Sequence, residues 1–271
     1  MKFDEHTYST FMQWGVNMIL NISSNNTNVI ERGVYYFGLS DFPHITKSEL
    51  KKVVAFVKYE KSHGRQTEIV CLDEKILAAV NEAVLNCESA ESTILAAESE
   101  YIYHATDITS AQKILSSGKL LSAEKVYGKS GEELSFQKQD SLWNDPADYF
   151  QYIMFCWGDS PIGDYVVLSE DFPCEEDLLK GKFNPGIRFY FRYEDIIRHP
   201  RHIFDGYHPV KVKDEIILAD YLFACIVSEQ YRADLDGFAL PEVAQKIHYL
   251  FQGGIGLAAW NNNVYDFVRE L

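Results

Sequence analysis

A short apolar strand that runs almost directly into an amphipathic helix does most to limit the folds open to this chain. Tyr101, Ile102 and Tyr103 lead to His104, and Ser110–Gly118 follows with Ala111, Ile114 and Leu115 at helical spacing and a glycine at its end. The imidazole therefore stands at the end of a strand, with a helix starting just after it. Around residue 100 the texture of the chain changes. Downstream, short apolar runs at 101–104, 151–157, 164–168, 187–192 and 215–227 read as strands, punctuated by Gly, Pro and Asp. The pattern predicts an α+β fold with a mixed or antiparallel β core and few long helices.

Upstream the reading is mostly helical. Residues 4–20 carry Phe11, Trp14, Met18 and Ile19 at helical spacing. Gly33–Gly38 reads as an aromatic strand between glycines. Thr46 and Glu49 form a capping-box pattern ahead of a helix bearing Leu50, Val53, Val54 and Val57, which ends near Gly64. Thr67–Cys71 reads as a strand, and Asp73 caps a second helix with Ile76, Leu77, Val80, Ala83 and Val84 on one face. The Ala-, Ser- and Glu-rich stretch 88–100 is a soft boundary. Residues 1–97 are thus expected to form a mostly helical N-terminal region and 98–271 a second domain.

A chain of 271 residues with 46% hydrophobic residues can bury a sizeable core. Its net charge of −15 repels a phosphate backbone at long range, which disfavours nonspecific nucleic-acid binding but leaves room for a locally basic groove. Five scattered cysteines without a C-x-x-C pair suit reduced thiols. With no secretory pattern and no stretch near a membrane span, the expectation is a cytoplasmic protein that makes no membrane contact.

Three segments resemble the ADP-ribosyltransferase superfamily, most closely its histidine-type branch, which holds the poly(ADP-ribose) polymerases and the DarT toxins. The likeness covers roughly residues 100–235. The first segment is Ile102–Thr106 followed by Ala111, Ile114, Leu115, Gly118 and Leu120. The second is Tyr149–Pro161, an aromatic strand running into Ser160 and Pro161. The third is Lys213–Val227, with Glu215 at its head. The spacing from His104 to Glu215, about 110 residues, matches the order in that branch.

The resemblance implies an NAD-consuming mono-ADP-ribosyltransferase domain over 98–271. In it His104 hydrogen-bonds the adenosine-side ribose, Thr106 lies beside it, and Phe155, or else Tyr149 or Tyr152, stacks on nicotinamide. Lys129 meets a pyrophosphate oxygen, in a Gly128- and Gly131-bearing loop that covers the cofactor. Glu215 stabilises an oxocarbenium-like ribose and takes a proton from the nucleophile. It further implies a bacterial toxin or antiphage effector, a nucleic-acid or protein acceptor, and an antitoxin or inhibitor protein as partner. The chain departs from the DarT pattern in lacking any arginine between Arg65 and Arg188, which weighs against DNA-base modification.

Read without the resemblance, His104 is a histidine satisfying a local carbonyl, Phe155 is sheet packing, and Glu215 is a carboxylate flanking a strand. NAD hydrolysis and binding of NAD or ADP-ribose without turnover are the alternatives in function. His199, His202, Asp205 and His208 recur at metal-like intervals, but Pro200 and Gly206 interrupt them, so a polar turn is expected and no metal. Cys156, mid-strand, reads as a buried, inert thiol.

Overall fold

The computed structural model describes residues 17–25, 28–31, 33–86, 97–137, 146–168 and 174–271. The chain separates into two compact units. One comprises Met1–Ala96, Ser130–Tyr149 and Phe204–His208, and the other Ala97–Lys129, Phe150–Ile203 and Pro209–Leu271.

The first unit is a layer of helix on sheet. Its strands β1 (Asn17–Ser23), β2 (Asn28–Glu31), β3 (Val34–Gly38) and β4 (Gln66–Cys71) lie in the order β2-β3-β1-β4, with β1 parallel to both β3 and β4. Helices α1 (Lys47–Ser62) and α2 (Glu74–Asn86) connect and follow them. This corrects the expectation of a mostly helical N-terminal region. Residues 17–20, read as the end of a helix, are strand. Met18, Leu20 and Ile22 are buried while Asn17, Ile19 and Asn21 are less so, a period of two. The apolar cluster fits either period when read alone, and pairing on both edges decides for the strand. Residues 4–16 of that expected helix, with Phe11 and Trp14, lie outside the described residues. The other local readings hold. Thr46 and Glu49 complete the capping box, and the Asp73 carboxylate accepts the Ile76 amide at 3.0 Å.

A cluster of charged side chains is buried in this unit. Arg65, 8% exposed, follows α1 and lies between Glu60 and Asp148. Its Nη2 donates to Glu60 at 3.2 Å and to Asp148 at 3.3 Å, while the Tyr59 hydroxyl also donates to Asp148. Burial alone would push the Asp148 carboxyl up. Hydrogen bonds and charge from Arg65, with help from Tyr59 and His63, outweigh that and hold it below the usual carboxylate range. A depressed native value means that the unfolded chain binds protons first. The stabilisation is complete above the unfolded aspartate value, about 3.9, and disappears as pH falls through the native one. Asp148→Asn is therefore expected to flatten the acid side of a denaturation-midpoint profile between roughly pH 5 and pH 2. An acid limb identical to the parent's would show that Asp148 is not held ionised.

The second unit is a mixed α+β assembly. Strands β5 (Tyr101–Thr106) and β6 (Lys119–Leu121) flank helix α3 (Ile108–Ser117). Then come β7 (Tyr152–Met154), β8 (Cys156–Trp157), α4 (Ile162–Leu168) and β9 (Ile187–Arg192). The chain continues through β10 (His202–Ile203), β11 (Lys211–Lys213), β12 (Glu215–Ile217), β13 (Leu222–Ser228), β14 (Ile247–Leu250) and α5 (Leu257–Glu270). The main sheet has the order β14-β13-β9-β5-β8. It is antiparallel apart from the β13–β14 pair. Two small ladders accompany it, β10-β11-β7 and β12-β6. Helix α5 covers the main sheet, where Trp260, Val264 and Val268 join Tyr103, Tyr190 and Ile226 in one core.

Three strand expectations need correction. The run 151–157 is not one strand: it divides at Phe155 into β7 and β8, which join different ladders. Residues 164–168 form the helix α4. Asp164 and Leu168, four apart, are buried, while Tyr165 and Val166 are exposed, which is a helical face rather than an alternation. The run 215–227 is not one strand, because a helical turn at Leu218–Tyr221 separates β12 from β13. Asp164 turns inward to meet Arg188 of β9. Both are essentially unexposed, and Arg188 also donates to the Tyr190 hydroxyl and to Asn261 of α5, each at 3.0 Å. Its guanidinium lies 4.8 Å from the Tyr103 ring centre. No helix among the described residues is long and apolar enough to cross a membrane.

Candidate functional site

The junction of β5 and α3 builds the first half of the site. Asp107 caps α3 by accepting the Ser110 amide at 2.9 Å, so the strand must end at Thr106 and the helix start at once. At the far end of the helix Gly118 adopts φ 68°, and a Cβ there would come within 2.6 Å of Leu240. That glycine lets the chain reverse into β6.

His104, partly buried near the end of β5, has Nδ1 3.1 Å from the Met154 carbonyl. A carbonyl can only accept, so the bond requires the proton on Nδ1 and leaves Nε2 of the neutral ring as an acceptor. Burial lowers the His104 pKa, with the Met154 carbonyl acting in the opposite sense, so the neutral ring persists at physiological pH. Local carbonyl satisfaction is thus present, and it fixes the tautomer that a ribose hydroxyl donor would need.

Glu215 opens β12 and pairs in register with Leu121 of β6. Its carboxylate is open to solvent and lies 3.0 Å from Lys119 Nζ. The Lys119 hydrogen bond and charge, followed by weaker pulls from Arg201 and Lys125, hold it below the ordinary glutamate range. A cavity of about 160 Å³ opens against the same strand pair, lined by Gly118, Lys119, Ile217, Leu240 and Val243 among others.

One segment links the two halves. The Asp214 amide, adjacent to Glu215, donates to the Gln151 carbonyl at 3.0 Å, and three residues later the Met154 carbonyl meets His104. His104 is thus tied to the end of β7 at Met154, and Asp214, the residue before Glu215, to Gln151, which directly precedes β7.

The aromatic candidates are placed differently. Phe155 is 1% exposed, with its ring edge-on to Phe191 at 5.4 Å, so it is committed to packing. Tyr152 is buried, and Lys211 Nζ lies 5.5 Å from its ring centre. Tyr149 belongs to the first unit, where it is buried beside Tyr59 and His208. Thr106 ends β5 opposite Ile187. Lys129 is exposed and follows Gly128, which ends a short helix in the left-handed conformation. Gly131, expected in the same loop, instead opens a helix, Gly131–Gln137.

The metal-like histidines serve local contacts. His202 Nδ1 lies 2.7 Å from the His199 carbonyl, and Asp205 holds His208 Nδ1 at 2.8 Å within one turn. Among the described residues no group of three or more His, Cys, Asp or Glu could hold a metal. Burial pushes the Cys156 thiol up to about 12, which leaves it protonated and unreactive. Sequence reasoning passed over Lys119, Arg201 and the Asp164–Arg188 pair. For the pair a signal existed: Arg188 is a lone charge inside the apolar run Ile187–Phe191. No protein-family model, curated protein or solved structure matches this chain.

Proposed function

We propose that the second unit is an NAD-dependent mono-ADP-ribosyltransferase of the DarT-like type, with Glu215 as its catalytic carboxylate and His104 as its cofactor-orienting residue. The observation that carries this reading is that a tautomer-fixed imidazole on β5 and the residue next to a solvent-open carboxylate on β12 are both anchored to the segment Gln151–Met154, through carbonyls three residues apart. His104 Nε2 would accept a hydrogen bond from a ribose hydroxyl and hold NAD with its nicotinamide-side ribose toward Glu215. The bond from the ribose carbon to the nicotinamide nitrogen then breaks, and its electron pair leaves with nicotinamide. Glu215 stabilises the positive charge left on the ribose and accepts the proton of the acceptor as the new bond forms. Lys119, paired with Glu215, keeps the carboxylate ionised for both tasks.

In this reading the chain is a toxin or antiphage effector. Its acceptor is a nucleic acid or protein, and an antitoxin or inhibitor protein restrains it. Incubation of the full chain with NAD labelled in the adenylate part and a cell lysate tests the chemistry. Free nicotinamide and a labelled macromolecule are expected. Sensitivity of that label to nuclease or to protease names the acceptor. Free ADP-ribose alone identifies a glycohydrolase, and binding of NAD without nicotinamide release leaves only a binding module. His104→Ala is expected to raise the KM for NAD about tenfold or more. An unchanged KM would remove His104 from the site.

A further inference from the structure

We propose that Asp214 is a positioning residue whose left-handed backbone aims Glu215. Among the described residues it is the one non-glycine residue with positive φ, at 68°. It stands between β11, which pairs with β7 and β10, and β12, which pairs with β6. An extended residue there would carry the chain onward along the first ladder. The left-handed residue turns it instead, so that Glu215 becomes the first residue of a different ladder.

The turn is braced on three sides. The Asp214 amide donates to the Gln151 carbonyl at 3.0 Å, and its own carbonyl accepts the Ser122 amide at 2.8 Å. Its carboxylate takes Arg201 Nη1 at 3.1 Å and lies 3.8 Å from Lys125 Nζ. Aspartate tolerates this backbone region far better than a β-branched residue, which is an outlier there. Three cations act on the Glu215 carboxylate: Lys119 on β6, Lys125 in the helix after it, and Arg201 ahead of β10, the last two also facing Asp214. Swinging the backbone at 214 moves Glu215 relative to Lys119.

The kinetic arm of the test rests on the transferase reading, and the spectroscopic arm does not. Asp214→Val, which disfavours the left-handed turn, is expected to lower kcat for nicotinamide release about a hundredfold with the KM for NAD little changed. Asp214→Gly, which keeps the turn without the side chain, is expected to retain most of kcat. Carboxyl carbon NMR of Glu215 in the full chain should show its titration moving up toward the ordinary glutamate range in the valine variant, as the Lys119 pairing is lost, and staying low in the glycine variant. If the valine variant does not fold, Asp214→Ala carries the same comparison.

An unchanged kcat and an unchanged Glu215 titration in the valine or alanine variant would overturn the proposal. So would a glycine variant as impaired as the valine one, which would place the effect in the side chain. A parent chain that releases no nicotinamide would defeat the transferase reading, while the titration would still decide whether Asp214 aims Glu215.

Discussion

Asp164→Ala is expected to destabilise the second unit by about 3–5 kcal/mol, because it strands a buried guanidinium without its counter-charge. Arg188 is 1% exposed and Asp164 0% exposed, so water cannot replace the lost carboxylate without opening the core. Tyr190 and Asn261 would still accept from the guanidinium, but neither is charged. Tyr103, Tyr190 and α5 all meet around this group, so the loss should register as a lower denaturant midpoint for the whole unit. Removing both charges should hurt less than removing one. In Arg188→Met with Asp164→Leu, the penalty for an unpaired buried charge disappears and apolar volume replaces it. A double variant as unstable as Asp164→Ala would show that packing, not charge, dominates the site.

Glu215→Gln should lower kcat for nicotinamide release by about a hundred- to a thousandfold, the loss expected when a preorganised charge is removed from a developing transition-state charge. Glutamine keeps the size and one hydrogen-bond acceptor of the side chain. Binding of NAD in the ground state should change little, so KM should hold while kcat falls. Glu215 is solvent-open and sits on a surface ladder, so the substitution should leave the thermal midpoint near the parent's. Full nicotinamide release by the glutamine variant would remove Glu215 from the chemistry.

The sequence made local elements legible where one rule acted alone. Thr46 with Glu49, Asp73, and the glycine at 118 each fix an end of a helix through a hydrogen bond or a backbone angle, and all three stand where the pattern placed them. Elements decided by partners were not legible. Met18, Ile19, Leu20 and Ile22 suit a helix or a strand, and the choice came from β3 and β4 on either side. Residues 164–168 have strand-like composition, yet Asp164 is drawn inward by an arginine 24 positions away. The order His104, aromatic strand, Glu215 could be read along the chain. That the segment Gln151–Met154 would anchor both His104 and Asp214 through its carbonyls could not, because no side-chain pattern records where main-chain carbonyls point. Nor does composition tell an aromatic available for stacking from Phe155, which is spent on Phe191.

The interleaved course of the chain has a consequence for how this protein could be dissected or have arisen. A cut between residues 97 and 98, the boundary that composition suggests, would leave Arg65 and Glu60 on one fragment and carry Asp148 away on the other. The first fragment would lack the segments 130–149 and 204–208 of its own unit, while the second would carry them as foreign insertions. The first unit is therefore not a cassette that can be moved by a single cut at that seam.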